Sequence, residues 1–161
     1  MKRLLLYVHF NKYDHISRHV FYQLEHMRPL FDKLVFISNS RLSESEVQKL
    51  RDKHLIDDFI QRENKGYDFA AWHDGMEFVG FDNLKQYDSV TVMNDTCFGP
   101  LWDMAPIYDK YESNPNVDFW GMTNHQGIKA GDIYIHEHLQ SYFISFKKRL
   151  VESSVFQKFW K

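Results

Sequence analysis

The chain has 161 residues, of which 43% are hydrophobic and 17% aromatic, and this composition supports a folded core and argues against a disordered chain. Its formal charge of −2 gives no strong electrostatic preference, which argues against a protein whose main task is nucleic-acid binding. A single cysteine, Cys97, excludes an internal disulfide and is typical of a reducing compartment, so we expect a cytoplasmic protein.

The first eight residues are basic and then apolar, as in a secretion signal. The apolar run stops at His9, however, and no small-residue cleavage site follows, so we predict a buried first strand over residues 4–10. No stretch approaches the roughly twenty apolar residues that span a bilayer, so any membrane contact is expected to be peripheral.

The rest of the chain alternates between helical and strand-like patterns. Apolar spacing and capping residues predict helices over 17–27, 43–50, 69–80, 101–111 and 155–160. Apolar and β-branched runs predict strands over 34–37, 59–60, 87–93, 117–122 and 139–146, with a loop over 124–132. This alternation predicts one α/β domain over residues 1–161, with a largely parallel sheet and an antiparallel strand near the end.

Polar residues follow three of these predicted strands. The set comprises His9 and Asn11, Ser38 and Asn39, and Asn94 and Asp95. Because ligands of parallel sheets bind at the carboxyl ends of the strands, we expect these residues to line a nucleotide site. Plainer readings stay open: His9 as a buried structural histidine, Ser38 and Asn39 as turn residues, and Asp95 as a turn carboxylate that binds backbone amides.

A second polar segment precedes the helix predicted to begin at Phe69. Gly66 permits close backbone approach, while Asn64 and Asp68 either cap the helix or bind a ribose or sugar hydroxyl. Arg62 and Lys65 are candidate partners of a diphosphate, although exposed cations beside a loop are usually only solvated.

Five segments in this order resemble the rhamnan synthesis F family: residues 4–10, 64–72, 93–101, 119–123 and 138–146. The resemblance runs nearly end to end. Members of that family are regarded as glycosyltransferases, often rhamnosyltransferases, that build bacterial cell-wall polysaccharide or lipopolysaccharide. The resemblance therefore implies an α/β fold of the GT-A type, the nucleotide-diphospho-sugar transferase fold, with helices on both sides of a largely parallel central sheet.

The resemblance also implies the ligands. The donor is a nucleoside diphosphate sugar, with dTDP-rhamnose as the expected one, and the acceptor is a glycan or lipid-linked glycan at the inner face of the membrane. GT-A enzymes hold Mg²⁺ or Mn²⁺ through an acidic motif at the end of the central strand, which implies Asp95 as a metal ligand, with His125 as a conceivable second one. Asn94-Asp95 supplies one acid where that motif has two aspartates around one residue, which leaves the metal requirement open.

Glycosyl transfer also needs a base that deprotonates the acceptor hydroxyl. Acidic residues and histidines precede the last predicted strand, and we expect Glu137 or Asp132 to be that base. A zinc site at His125, His136 and His138 is the alternative, but no cysteine or Glu-x-x-His pattern supports it.

Two other functional classes stay open. A non-catalytic binding module of the same fold is favoured by the single acid at Asp95 and by a chain that stops at Lys161, since GT-A enzymes commonly need further chain on the acceptor side. A hydrolase or phosphatase-like enzyme that uses Asp95 lacks a second motif. We expect Cys97 to be buried, and most of these aromatic residues to be core: Phe69, Trp72, Phe78, Phe119, Trp120, Tyr142, Phe143 and Phe146.

Overall fold

A computed structural model describes residues 1–161. Its strands are β1 (Arg3–His9), β2 (Lys33–Ser38), β3 (Asp58–Gln61), β4 (Ser89–Asn94), β5 (Phe119–Gly121), β6 (Asn124–His125), β7 (Ile128–Ala130), β8 (Ile133–Ile135), β9 (His138–Leu139) and β10 (Phe143–Lys147). Its helices are α1 (Arg18–Met27), α2 (Glu44–Asp52), α3 (Tyr67–Val79), α4 (Phe81–Leu84), α5 (Ala105–Glu112), α6 (Lys148–Val151) and α7 (Ser154–Trp160), with a short 3-10 turn at Arg28–Leu30.

Six strands form the central sheet in the order β3-β2-β1-β4-β10-β5. The first four of these are parallel, and β10 runs antiparallel to both β4 and β5. Every residue of β4, and all but the first residue of β1 and of β2, is buried, as expected for parallel strands that are covered on both faces. The predicted α/β fold, with a largely parallel sheet and a late antiparallel strand, is confirmed.

The two faces of the sheet carry separate hydrophobic cores. Successive side chains of a strand point to opposite faces, so Leu5 and Tyr7 join the core that includes α1, α2 and α5. Leu4, Leu6 and Val8 join the core that includes α3, α6 and α7. The molecule is therefore a three-layer structure in which β1 supplies both cores.

Most helix boundaries agree with the pattern in the sequence. Ser43 begins α2, because its side chain accepts the Glu46 backbone N–H at 3.3 Å, and Gly80, with φ of +90°, ends α3. Helix α5 begins later than predicted, at Ala105, whose backbone N–H is bound by the Asp103 carboxylate at 2.9 Å. None of the helices combines the length and apolar character that crossing a bilayer requires.

The segment after β5 differs from the prediction. The expected loop over 124–132 contains β6 and β7, which pair antiparallel with β9 and β8 outside the main sheet. The expected strand over 139–146 is divided, since β9 ends at Leu139 and the sheet strand β10 begins only at Phe143. Alternating apolar residues identify β-structure here, but they do not tell which sheet a strand joins.

The expectation that the aromatic residues are core holds for only part of that set. Trp72, Trp120 and Phe143 are buried. The rings of Phe69, Phe78 and Phe119 are about half exposed, at 47%, 53% and 51%. Phe69 and Phe78 lie on α3 and Phe119 in the edge strand β5, so each has only one side covered by the sheet and its helices.

A buried ion pair ties the start of β1 to α5. The Arg3 guanidinium contacts the Glu112 carboxylate, with Nε at 3.0 Å from each oxygen, and the Ser89 hydroxyl donates to Glu112 Oε1 at 2.8 Å. The Glu112 side chain is 2% exposed. This contact raises the pKa of Arg3 above its ordinary value, so the guanidinium is charged at neutral pH.

Replacing Glu112 with alanine leaves Arg3 and Ser89 without their partner, so we expect the free energy of unfolding to fall by about 3 kcal/mol. Asp109→Ala is the matched control, because Asp109 lies on the same helix, 3.9 Å from the same guanidinium, but is 78% exposed. Its effect should stay within about 0.5 kcal/mol. Urea unfolding of both variants measures the difference, and equal losses would show that the buried pair is not the stabilising contact.

Candidate functional site

Three strands end together at the carboxyl edge of the sheet. Strand β1 ends at His9, β2 at Ser38 and β4 at Asn94, and Asn39 and Asp95 follow directly. The register places His9 opposite Ser38, and His9 Nδ1 lies 3.0 Å from Ser38 Oγ. The strand order reverses direction at β1, so this edge is the crevice where open α/β sheets bind ligands.

Asp95 is a carboxylate held in a poorly solvated position. Its side chain is 12% exposed, and its Oδ2 accepts one hydrogen bond, from the Phe10 backbone N–H at 3.0 Å. Burial raises the pKa of Asp95 from 3.8 to about 6, although the bond from Phe10 works in the opposite direction. The bond comes from the amide of Phe10 after β1 and not from the turn of Asp95 itself, so the plainer reading of Asp95, a carboxylate that binds amides of its own turn, does not account for this contact.

His9 faces Asp95 across the same edge. The residue is fully buried, and its Nε2 has no hydrogen-bond partner and lies 3.9 Å from Asp95 Oδ2. Burial lowers the pKa of His9 to about 4, so the ring is neutral at physiological pH. A buried nitrogen without a partner beside a desolvated carboxylate is typical of a ligand site and costly in an ordinary core.

A hydrogen bond joins this edge to the start of α3. Asn94 Nδ2 donates to Asp68 Oδ2 at 2.7 Å, while Asn94 Oδ1 accepts from the backbone and the hydroxyl of Thr96. Asp68 therefore does not cap α3, since the N-cap is Gly66 with φ of +73°. A Cβ at Gly66 would lie 2.6 Å from the Ala70 Cβ, so glycine is needed there for both conformation and space.

Arg62 organises the neighbouring loop. Its guanidinium donates to Asn39 Oδ1 at 2.8 Å, to Asp74 Oδ2 at 2.6 Å and to the Lys65 carbonyl at 3.0 Å. These bonds hold Arg62 in the protein framework, which leaves it fewer donors for a diphosphate than the sequence suggested. Asn64 is exposed and lines a polar cleft of 740 Å³ together with Asp14, Asn39, Arg41, Gln61, Arg62, Glu63 and Lys65.

Asn11 is used to build a turn. Its Oδ1 accepts the Tyr13 backbone N–H at 2.8 Å, its Nδ2 donates to Ser17 Oγ at 3.0 Å, and its backbone N–H donates to Ser40 Oγ at 2.7 Å. The role predicted for Asn11 in donor binding stays a prediction, since these contacts show only how the turn is shaped.

The residues predicted for catalysis and second metal ligation lie in the β6–β9 segment. Asp132 is exposed in the turn between β7 and β8, and the Glu137 carboxylate accepts a bond from Asn124 Nδ2. The His125 ring stacks on that of His138 at 5.0 Å. No hydrogen bond or ion pair joins His125 to Asp95, so their pairing at one metal stays a prediction.

Sequence reasoning missed one cluster of ligand-type side chains. His73, Asp74 and Glu77 on α3 have ligand atoms within 4.8 Å of one another. The signal was present, since a histidine and a glutamate four residues apart share a helix face. Asp74 is, however, already bound by Arg62.

An apolar pocket of 260 Å³ lies beside the loop that follows Asp95. Its lining is Gln23, Met27, Met93, Cys97, Phe98, Gly99, Pro100, Leu101, Trp102, Met104, Met122, Tyr142 and Phe143. Cys97 is partly exposed at this pocket and not buried as predicted, because the loop stands outside the closed core. Phe98 and Trp102 are 79% and 63% exposed, so aromatic rings border the pocket.

Two curated proteins are similar in sequence. An uncharacterized protein of Sinorhizobium fredii, y4gN, is 30% identical over 143 residues, which is 88% of this chain and 35% of the relative. The virulence protein VirA of Vibrio anguillarum is 30% identical over 128 residues, 79% of this chain and 36% of the relative. The chain thus spans just over a third of the length of these relatives.

Solved structures identify the fold. The mannosyltransferase of Pyrobaculum calidifontis, in complex with GDP-Man and Mn²⁺, matches with a TM-score of 0.60 at 13% identity, over 92% of this chain and 45% of its own. The 4-diphosphocytidyl-2C-methyl-D-erythritol synthase matches with a TM-score of 0.56 at 11% identity, over 92% of this chain and 76% of its own. The expected fold, that of GT-A-like nucleotide-sugar transferases, is confirmed. Rhamnan synthesis protein F is the family whose sequence profile matches residues 34–161, and the chain belongs to that family.

Proposed function

We propose that this chain contains the donor site of a glycosyltransferase that moves a sugar, rhamnose, from a nucleoside diphosphate to a growing bacterial surface polysaccharide. The observation that carries the proposal is the desolvated Asp95 carboxylate beside the unpartnered His9 nitrogen, at the edge where this fold binds ligands. The family supports rhamnose as the sugar, and dTDP as its carrier follows from the same resemblance. Because the relatives are longer, the activity is proposed for the whole protein.

We place the donor along the strand ends. The base and ribose lie near His9, Asn11, Ser38 and Asn39, and the sugar or diphosphate lies near Asn64, Gly66, Asp68 and Asn94. The polar cleft lined by Asn39, Arg62 and Asn64 supports this placement, since hydroxyl groups and phosphates need polar walls.

The residues at this edge fit a divalent cation. Asp95 keeps one oxygen without a hydrogen bond to the protein, and one carboxylate completed by phosphates and water is how Mg²⁺ is usually bound. Asp95 would hold Mg²⁺ or Mn²⁺, and we keep His125 as a candidate second ligand. The cation would neutralise charge on the departing diphosphate.

For the acceptor we propose a glycan or lipid-linked glycan, at the inner face of the cytoplasmic membrane. The apolar pocket beside the Asp95 loop, with the exposed rings of Phe98 and Trp102, supports an acceptor with apolar faces. Glu137 or Asp132 is the proposed base that takes the proton of its hydroxyl.

The first test is donor binding. We expect one nucleotide of dTDP, UDP and GDP, with dTDP favoured, to bind the wild type in a Mn²⁺-dependent manner in calorimetry. Asp95→Asn should weaken this binding by about tenfold or more, because a charged partner of the cation is lost. Asp82→Asn is the control, since that carboxylate is exposed on α4. If none of the nucleotides binds, the donor-site assignment is wrong.

Asp95→Asn should raise the free energy of unfolding, although it weakens nucleotide binding. Because the pKa of Asp95 is raised from 3.8 to about 6, the folded state pays roughly 3 kcal/mol to ionise it, and this penalty grows as pH rises from about 4 through 6. We therefore expect Asp95→Asn to be more stable than the wild type by about 2 kcal/mol at pH 7.

The pH dependence provides the control for that prediction. At about pH 3, below the ordinary value of 3.8, the carboxyl is mostly protonated in both states, so the two proteins should unfold with nearly the same free energy. His9 is present in both and cancels from the difference. Urea unfolding in EDTA at pH 7 and at about pH 3 measures this, and an Asp95→Asn protein that is less stable at pH 7 would contradict the burial of a costly charge.

The catalytic assignment has its own test. With a glycan acceptor, Glu137→Gln or Asp132→Asn should lower turnover by about a hundredfold while nucleotide affinity stays unchanged, since general bases contribute that much to rate. Release of nucleoside diphosphate measures turnover. Binding without any release in the wild type would instead favour the non-catalytic module, and unchanged turnover in both variants would exclude this pair as the base.

A further inference from the structure

One face of α1 binds the Asp95 loop, residues 95–104, which connects β4 to α5. His19 Nε2 lies 2.9 Å from the Asp95 carbonyl oxygen, Gln23 Nε2 donates to the Cys97 carbonyl at 2.6 Å, and the Tyr22 hydroxyl donates to the Pro100 carbonyl at 3.0 Å. Three successive parts of the loop are thus bound by one helix.

The spacing of these residues explains how one helix reaches all three carbonyls. Residues 19, 22 and 23 are three and four positions apart, so their side chains project from the same side of α1. Gln23 is buried, and its Oε1 accepts a bond from the Tyr7 hydroxyl of β1. The loop is therefore linked through Gln23 to the central strand of the sheet.

All three bonds end on main-chain carbonyls. None of the three involves a side chain of the loop, and the apolar side chains of Phe98, Leu101 and Trp102 are exposed, at 79%, 76% and 63%. The Phe98 ring also contacts the helix, since it lies 4.7 Å from the ring of His19. The helix thus fixes the path of the loop and not the identity of its residues.

Core packing alone does not require these polar residues. Val20, Leu24 and Met27 supply the buried apolar face of α1. Gln23 is buried beside them. A buried amide destabilises the fold relative to an apolar side chain unless its N–H and C=O groups are paired. Both groups of Gln23 are paired, and one of them binds the loop.

We infer that His19, Tyr22 and Gln23 are positioning residues that fix the Asp95 loop for donor binding. His19 acts on Asp95 itself, because a bond to its carbonyl sets the peptide from which the carboxylate projects toward His9. The effect on donor binding rests on the proposed function. The restraint of the loop by α1 can, however, be measured without any ligand.

Cys97 is the reporter, since it is the single cysteine of the chain and lies in the loop between two of the bonds. We would measure the rate at which a disulfide reagent modifies its thiol in the native protein. His19→Leu removes the donor to Asp95 and should accelerate labelling by about fivefold, the effect of one hydrogen bond of roughly 1 kcal/mol. His19→Gln, which restores a side-chain N–H, should return the rate toward that of the wild type.

Two further variants separate positioning from general destabilisation. Arg18→Ala changes an exposed residue of the same helix and should leave the labelling rate unchanged. Tyr22→Phe removes only the hydroxyl that binds Pro100, so it should accelerate labelling by a similar factor and add to His19→Leu in the double variant. Melting temperatures of all variants, taken alongside, should stay close to the wild type.

The outcomes decide between the two proposals. Faster labelling in His19→Leu that His19→Gln reverses supports the inference, and equal labelling rates in all variants overturn it. The inference is also overturned if the Cys97 labelling rate rises only in proportion to the decrease in melting temperature. If the wild type binds no nucleotide, the proposed function fails, but the labelling rates still test whether α1 restrains the Asp95 loop. If it binds one, affinity should fall in the variants whose labelling accelerates.

Discussion

The pairing of β1 with a parallel strand on each side is the constraint on which the rest of the structure depends. Strands β2 and β4 cover both of its hydrogen-bonding edges, and helices cover both of its faces, so Leu4 to Val8 are buried and the one polar group among their side chains, the Tyr7 hydroxyl, is paired with Gln23. From β1 the chain continues to β2 on one side within the sheet, and from β4 it continues to β5 at the opposite edge, so polar groups collect where β1 and β4 stop. The position of the site is thus a result of the topology, and its chemistry is a result of the few residues that follow each strand.

The two buried titratable groups at this edge oppose each other in their effect on stability. As pH falls, the folded protein gains a proton on Asp95 near pH 6, which favours folding relative to an ionised buried carboxylate. The unfolded chain gains a proton on His9 near pH 6.5, which the folded state accepts only near pH 4, and this favours unfolding. Between pH 4 and 6 the two contributions act in opposite directions, so each offsets part of the pH dependence of stability that the other would give.

The sequence was sufficient for the central layers, because long apolar strands and amphipathic helices with clear caps, such as α2 after Ser43, carry local signals that agree with the fold. It was also sufficient to place His9, Ser38 and Asp95 at one edge, since parallel topology follows from the alternation of elements. It did not predict the small ribbons of β6 to β9, whose pairing depends on tertiary contacts. Nor did it reveal that His19 and Gln23 bind the Asp95 loop, because the sequence of a helix does not predict which distant carbonyl groups its polar side chains will bind.

A loop bound through its carbonyls has freedom that a loop bound through its side chains lacks. Substitutions at Phe98, Leu101 or Trp102 remove no hydrogen bond to α1, because none of the bonds involves their side chains. Changes of ligand preference can therefore accumulate in the loop while the helix and the sheet stay unaltered. The scaffold is in this way suited to carry loops of different sequence on one unchanged path.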